Sequence, residues 1–252
     1  NKVLEVGVDG RPIYGSAANA NNAFITKPGY PIASFYGYKY IGVFQSEEEL
    51  AKYPHLSGDK VGDGRYEDVN KDGVLDQNDK TILGDNNPLF TAGFSNSFSY
   101  KNFTLDIQFT GSYGAEVFSF YKRMCGIYHG DRNGMIEQLG RWQSKDQPGD
   151  GIHFRPTRTP SGWQRDPSSA WVQDASYLRL RNLTLGYNFD QKVLDKMKMK
   201  GLRLYVTGQN LFTITNYVGY DPETSSESGL AQGGDYLGYP AARSFIIGAN
   251  IT

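Results

Sequence analysis

The densest concentration of chemistry-bearing side chains lies at residues 68–79, which read Asp68-Val69-Asn70-Lys71-Asp72-Gly73-Val74-Leu75-Asp76-Gln77-Asn78-Asp79. A hard cation such as Ca²⁺ takes oxygen ligands from the first, third and fifth positions of such a loop. It also needs a glycine at the sixth for the turn, a backbone carbonyl at the seventh and a carboxylate at the twelfth. Asp68, Asn70, Asp72, the Val74 carbonyl and Asp79 fill those places, with Asp76 positioned to act through water. Asp79 stands where a longer Glu usually supplies both oxygens, so the loop must close more tightly to bind metal. The same spacing also builds a turn-rich loop in which Asp and Asn side chains accept neighbouring amides. If a cation is held here, its role is structural rather than catalytic.

Other chemistry has little support. His55, His129 and His153 lack metal-ligand spacing, and the single Cys125 cannot form an intrachain disulfide. Gly62-Asp63-Gly64 opens no helix that would cradle a phosphate. Asp221 and Glu223 could pair as glycosidase carboxylates only at distances that sequence does not give, and no nucleophile-elbow motif is present; the expectation is a non-enzyme. Lys and Arg total 26 against 27 acidic residues, so no basic surface is available for nucleic acid. Trp142, Trp163 and Trp171 all fall within 112–174. They suit either stacking platforms for a ligand or packing within that segment.

The elements that must position these residues are strands. Among 252 residues there are 30 Gly, 18 Tyr and 14 Phe, a composition that suits strands and turns. No apolar run is long enough for a membrane-spanning helix, which needs about 20 residues. A transmembrane barrel escapes that test because its strands alternate, and a low mean hydropathy of −0.53 is compatible with it. Phe90, Ala92, Phe94, Asn96, Phe98 and Tyr100 alternate with polar or small residues. Phe103, Leu105, Ile107 and Phe109 alternate with Thr104, Asp106, Gln108 and Thr110, and Lys101-Asn102 joins the two runs as an antiparallel hairpin.

Further strands are expected at 176–189, with Leu183, Leu185, Tyr187 and Phe189 on one face and a bulge near Arg181-Asn182. Two more are expected at 202–212 and 243–252, and others at 35–44 and, weakly, 3–8. The total is about six or seven strands near the length that crosses a membrane. Tyr100, Phe103, Tyr187, Phe189 and Phe245 could form an interfacial aromatic belt.

Connections alternate between short (101–102, 190–200) and long (46–88, 112–174, 214–241), so antiparallel strands send every long loop to one end. That asymmetry belongs to an outer-membrane barrel with long extracellular loops. An open sheet in lipid leaves backbone groups unpaired, so these strands are expected to be the C-terminal part of a larger barrel. Asn1 begins a polar stretch without a leader, which suits a mature chain or a piece of a longer one as well as a cytosolic start.

Specific strings carry a family resemblance. Asp174 to Tyr187 (DASYLRLRNLTLGY), Gly208 to Thr213 (GQNLFT), Tyr217 to Glu223 (YVGYDPE), and Asp68 to Gly84 followed by Asn87-Pro88 resemble, in order, the end of SusC/RagA-type TonB-dependent transporters. The resemblance covers most of 35–252. It implies a plugged outer-membrane barrel of roughly 22 strands that imports glycan or peptide with a SusD-like surface lipoprotein, with energy delivered by TonB. The plug and the TonB-contacting segment lie in an N-terminal portion not recognisable here. The chain ends at Thr252, where family members finish on an aromatic residue. The reading from another class is a soluble, calcium-stabilised extracellular β-sandwich that binds carbohydrate.

Overall fold

The computed structural model describes residues 1–7, 9–17, 20–126, 133–157, 166–224 and 228–252. They form two compact units. Unit 1 comprises Asn1–Asn87, Glu116–Gln173 and Glu223–Gly238; unit 2 comprises Pro88–Ala115, Asp174–Pro222 and Tyr239–Thr252.

Unit 2 is a single sheet of five long strands: β1 (Phe90–Tyr100), β2 (Phe103–Tyr113), β3 (Tyr177–Asn188), β4 (Leu202–Thr215) and β5 (Ser244–Ile251). Each pairs antiparallel with the next in sequence order. The expected hairpin is present, with Lys101 in the left-handed region (φ 55°) making the two-residue turn possible. A short helix, Gln191–Met197, links β3 to β4 and ends on Lys198 at φ 54°. The last residue, Thr252, exchanges backbone hydrogen bonds with Gly201. Both short connections and this terminus lie at one end of the sheet. The longer segments, 114–176 and 216–243, leave from the other end, as the alternation of loop lengths predicted.

The expected bulge is also present. Leu180 pairs with Phe109 while Asn182 pairs with Gln108, leaving Arg181 as the extra residue. On the other side Leu180 pairs with Phe212 and Asn182 with Gln209, and Asn210 takes φ 50°. The slip restores the alternation: Leu178 and Leu180 before the bulge share a face with Leu183, Leu185 and Tyr187 after it.

Unit 1 is built differently. Its strands are short: Ile13–Ala17, Ala20–Thr26, Ser34–Gly37 and Thr81–Gly84 form one sheet, and Tyr40–Val43 pairs with Gly64–Tyr66. Glu116–Ser119 lies between Val172–Asp174 and the parallel strand Gly234–Asp235. Phe24, Phe35, Phe118 and Phe120 are fully buried, with ring centroids 5.0 to 6.4 Å apart, a spacing that favours tilted and edge-to-face contact.

The structure corrects two strand assignments. Residues 35–44, expected as one membrane-length strand, break between Gly37 and Tyr40 and fold into unit 1 as two short strands. Phe35, Tyr38, Val43 and Phe44 are all buried there, so both sides of this segment face protein. No strand forms among the described residues of 3–8. Five long strands remain.

Candidate functional site

Unit 2 offers two chemically opposed faces. The register places six rows across β1 and β2, from Phe90–Tyr113 at one end to Tyr100–Phe103 at the other, and β3, β4 and β5 continue them with Leu183, Leu185, Leu204, Val206 and Ile247. This face is apolar and largely uncovered: Phe94 is 56% exposed, Phe98 54%, Phe245 76% and Ile247 84%. Contiguous apolar surface of this extent is unstable against water and marks contact with another apolar phase. The length of β1 is about 33 Å at about 3.3 Å per residue. At a tilt of about 40° that gives a height near 25 Å, the height of a barrel's apolar band.

Aromatic rings gather at the short-turn end. Phe103 and Tyr187 sit 4.9 Å apart and Tyr187 and Phe189 5.1 Å apart, with Tyr100 opposite Phe103. Phe90 and Tyr113 stack at 5.5 Å at the other end. Phe245, grouped with the first set on sequence, instead pairs with Gly208 at mid-height; it lies within the apolar band rather than in a girdle, because β5 starts lower on the sheet than its neighbours.

The opposite face carries Thr104, Asp106, Gln108 and Thr110, as predicted, and an arginine set that sequence reading treated only as strand residues. Arg179 Nε donates to Thr213 Oγ1 at 2.8 Å and its guanidinium pairs with Asp221. Arg181 Nε donates to Thr110 Oγ1 at 3.0 Å. Arg203 reaches across β3 to Thr104 on β2 at 3.1 Å, with Asp106 3.8 Å away. That crossing needs Gly186, because a Cβ there would stand 2.6 Å from Thr104 Oγ1 and 2.8 Å from Arg203 Nε. The signal was the Leu-Arg-Leu-Arg alternation at 178–181, in which each Arg sits opposite the leucine face.

In unit 1 the acidic loop closes on itself. Asp79, fully buried, accepts from Val69 N–H at 2.9 Å and Asp76 N–H at 2.8 Å. Asp68 accepts from Lys71 and Gly73, Asn70 from Asp72, and Asp72 from Val74. Val74 is 59% exposed. The structure therefore brings Asp68, Asn70 and Asp72 to one turn and places Asp79 beneath it as the group that staples the turn's start to Asp76. Among the described residues no three His, Cys, Asp or Glu side chains converge as a metal cluster. An oxygen that accepts one N–H keeps a second lone pair.

Two of the three tryptophans serve packing. Trp171 is buried and Trp142 packs against the same aromatic core, where Gly62 leaves space for its ring. Trp163 and His129 lie outside the described residues. Burial pushes the Tyr40 hydroxyl well above its ordinary range. Burial alone would raise the Asp150 carboxyl; hydrogen bonds from His153 and Ile152, together with the His153 charge, outweigh it and hold the carboxyl below its usual value. Burial raises Asp166 despite nearby Lys80 and Arg123.

No family model matches the chain. Among curated relatives, TonB-dependent receptor P3 of Formosa agariphila is 35% identical over 234 residues, covering 90% of this chain and 23% of the relative. TonB-dependent receptor P26 of the same organism is 32% identical, covering 100% and 26%. TonB-dependent receptor SusC of Bacteroides thetaiotaomicron is 26% identical, covering 94% and 21%. The solved RagAB peptide transporter superimposes with a TM-score of 0.75 at 20% identity, over 99% of this chain and 25% of that one. The open-open state of the RagAB peptide importer gives 0.73. The chain thus spans about a quarter of the length of the proteins it resembles, and its fold is that of an antiparallel β-barrel segment.

Proposed function

We propose that the chain, which is similar over most of its length to TonB-dependent receptors of the SusC/RagA kind, forms the C-terminal wall of an outer-membrane barrel importing glycan or peptide. The observation that carries this reading is the two-faced sheet of unit 2. Its apolar rows suit acyl chains between two aromatic ends, and its polar rows of Thr, Gln, Asp and Arg suit a water-filled or plugged lumen. The strands themselves perform no catalysis; they hold a conduit open and present the segments at their far end to the outside. Those segments would meet nutrient and a SusD-like lipoprotein lid. The plug and the contact with TonB would come from the rest of the protein.

A soluble sandwich would cover the apolar face with a second sheet; unit 2 holds one sheet, and Phe94, Phe98, Phe245 and Ile247 on its apolar face are exposed. The test is physical: the native protein should partition into detergent and migrate differently on a gel before and after boiling. Full solubility without detergent would overturn the reading.

Ca²⁺ in the 68–79 loop is part of the proposal, held by Asp68, Asn70, Asp72 and the Val74 carbonyl, with Asp79 ordering the turn. A cation bound only by the folded state adds about 2.7 kcal/mol at a hundredfold excess over its dissociation constant. Calcium should therefore raise the melting temperature of the native protein but not of an Asp68→Ala, Asp72→Ala double variant. Melting indifferent to chelator removes the metal.

A further inference from the structure

Unit 2 distributes its lysines unevenly. All five of them, Lys101, Lys192, Lys196, Lys198 and Lys200, lie in the two short connections, and the five strands contain none. Lys101 occupies the turn between β1 and β2, and the other four lie on or just after the helix Gln191–Met197 between β3 and β4. All five are exposed. The same connections carry two aspartates, each of which already accepts a hydrogen bond, Asp190 from Asn102 at 2.8 Å and Asp195 from Gln191 at 2.8 Å. Among the described residues none of the five ammonium groups forms an ion pair with a carboxylate.

The position of this cluster beside the apolar face decides what it can meet. Lys101 follows Tyr100 directly, its ammonium 5.4 Å from that ring's centroid, and the helix begins two residues after Phe189. Tyr100, Phe103, Tyr187 and Phe189 are the rings at the short-turn end of the sheet. Such rings sit at the boundary between acyl chains and headgroups, so the lysines stand one step further out, at the depth of lipid phosphates. Val193 and Met197, four residues apart and therefore on one side of the helix, are 40% and 46% exposed. They suit the greasy side of that boundary, while long lysine stems carry the charges outward.

The choice of lysine fits the same partner. Arg179, Arg181 and Arg203 on the strands are held in fixed hydrogen bonds to threonines, whereas a lysine is a mobile point charge with three donors, matched to a phosphodiester that diffuses. An anionic bilayer surface attracts each nearby lysine roughly fivefold more strongly than a neutral one. Continuity with the apolar rows favours a membrane component over a soluble macromolecule.

We infer that the two short connections bind the headgroups of anionic phospholipids, of the phosphatidylglycerol class, in the leaflet beside them. The inference rests on the reading of the apolar face as lipid-facing; it adds a preference among lipids that the apolar face itself does not have.

The experiment titrates the complete native protein in neutral detergent with phosphatidylglycerol and with phosphatidylcholine of identical acyl chains, and native mass spectrometry reads the bound lipid. Phosphatidylglycerol should bind at least about tenfold more tightly. Lys101→Gln, Lys192→Gln, Lys196→Gln, Lys198→Gln and Lys200→Gln together should abolish the preference, and the five matching Lys→Arg changes should keep it. Gln substitution of Lys2, Lys52, Lys60 and Lys145, which are exposed in unit 1, should leave it unaltered. Equal binding of the two lipids, a preference that survives the five Gln changes, its loss in the Arg set, or an equal loss in the unit 1 set overturns the inference. So does displacement of phosphatidylglycerol by millimolar inorganic phosphate, which would assign the cluster to free phosphate. A protein that binds neither lipid and stays soluble without detergent fails the import reading as well, whereas equal binding with normal detergent partition fails the headgroup preference alone.

Discussion

Phe24 in unit 1, between Ala23 and Ile25, and Phe94 in unit 2, between Gly93 and Ser95, are both strand phenylalanines, yet the first is 0% exposed and the second 56%. Phe24 is enclosed by Phe35, Phe118 and Phe120, whose strands and helix come from distant parts of the chain. Phe94 stands opposite Phe109 on the neighbouring strand and stays more than half exposed. The difference teaches that alternation records only which face is apolar. Unit 1 supplies its own apolar phase by folding short strands around aromatic rings. Unit 2 leaves that phase to its surroundings, which is tolerable in lipid and unfavourable in water.

The most damaging test of this contrast is Phe24→Ala. Removing an enclosed ring should cost about 3–5 kcal/mol, read as lost hydrogen-exchange protection of the amides in 20–37. A loss below about 1 kcal/mol would mean the ring is not enclosed. Next comes a matched pair on β3. Leu183→Arg on the apolar face at mid-height should cost about 2–4 kcal/mol in reversible folding into lipid vesicles, whereas Thr184→Arg on the other face should cost much less. Equal effects would erase the distinction between the faces.

The smallest expected effect concerns unit 1 alone and depends on pH. Asp150 titrates below the ordinary aspartate value of 3.8 in the folded state, so its contribution is complete above that value and fades as pH falls through the lower folded one. Asp166 is raised above 3.8; its contribution is present below that value and fades as pH rises through the folded one. Melting curves across the acid range should show the two opposed trends, with Asp150→Asn removing the first and Asp166→Asn the second. Unchanged profiles in both variants would show that neither carboxyl is perturbed by its surroundings.

Much of unit 2 could be read directly. Its hairpin at Lys101-Asn102, its bulge at Arg181 and its faces all follow from period-two patterning, because every strand pairs with the next one along the chain. Unit 1 was far less legible. The run Phe35-Tyr36-Gly37-Tyr38 looks like the aromatic strands of unit 2, and only its distant packing partners reveal that it is buried on both sides. A cavity of about 190 Å³ beside the helix Phe120–Gly126 was invisible for the same reason, since Tyr40, Glu137, Ile152 and Trp171 are brought together there by loops with no common motif. The 68–79 loop lies between these extremes: the spacing identified the turn, while the coordinates assigned Asp79 to the hydrogen bonds that close it.

The sequence by itself determined the all-β class, the two chemical faces of the five long strands, the segregation of short and long connections, and the family resemblance. These depend on local periodicity and on pairing between consecutive strands. Tertiary structure alone decided that 35–44 belongs to a buried core, that Arg203 lies across Gly186, that Phe245 sits at mid-height, and that unit 1 encloses a cavity. Each of those depends on contacts between residues far apart in the chain, whose closeness no local pattern encodes.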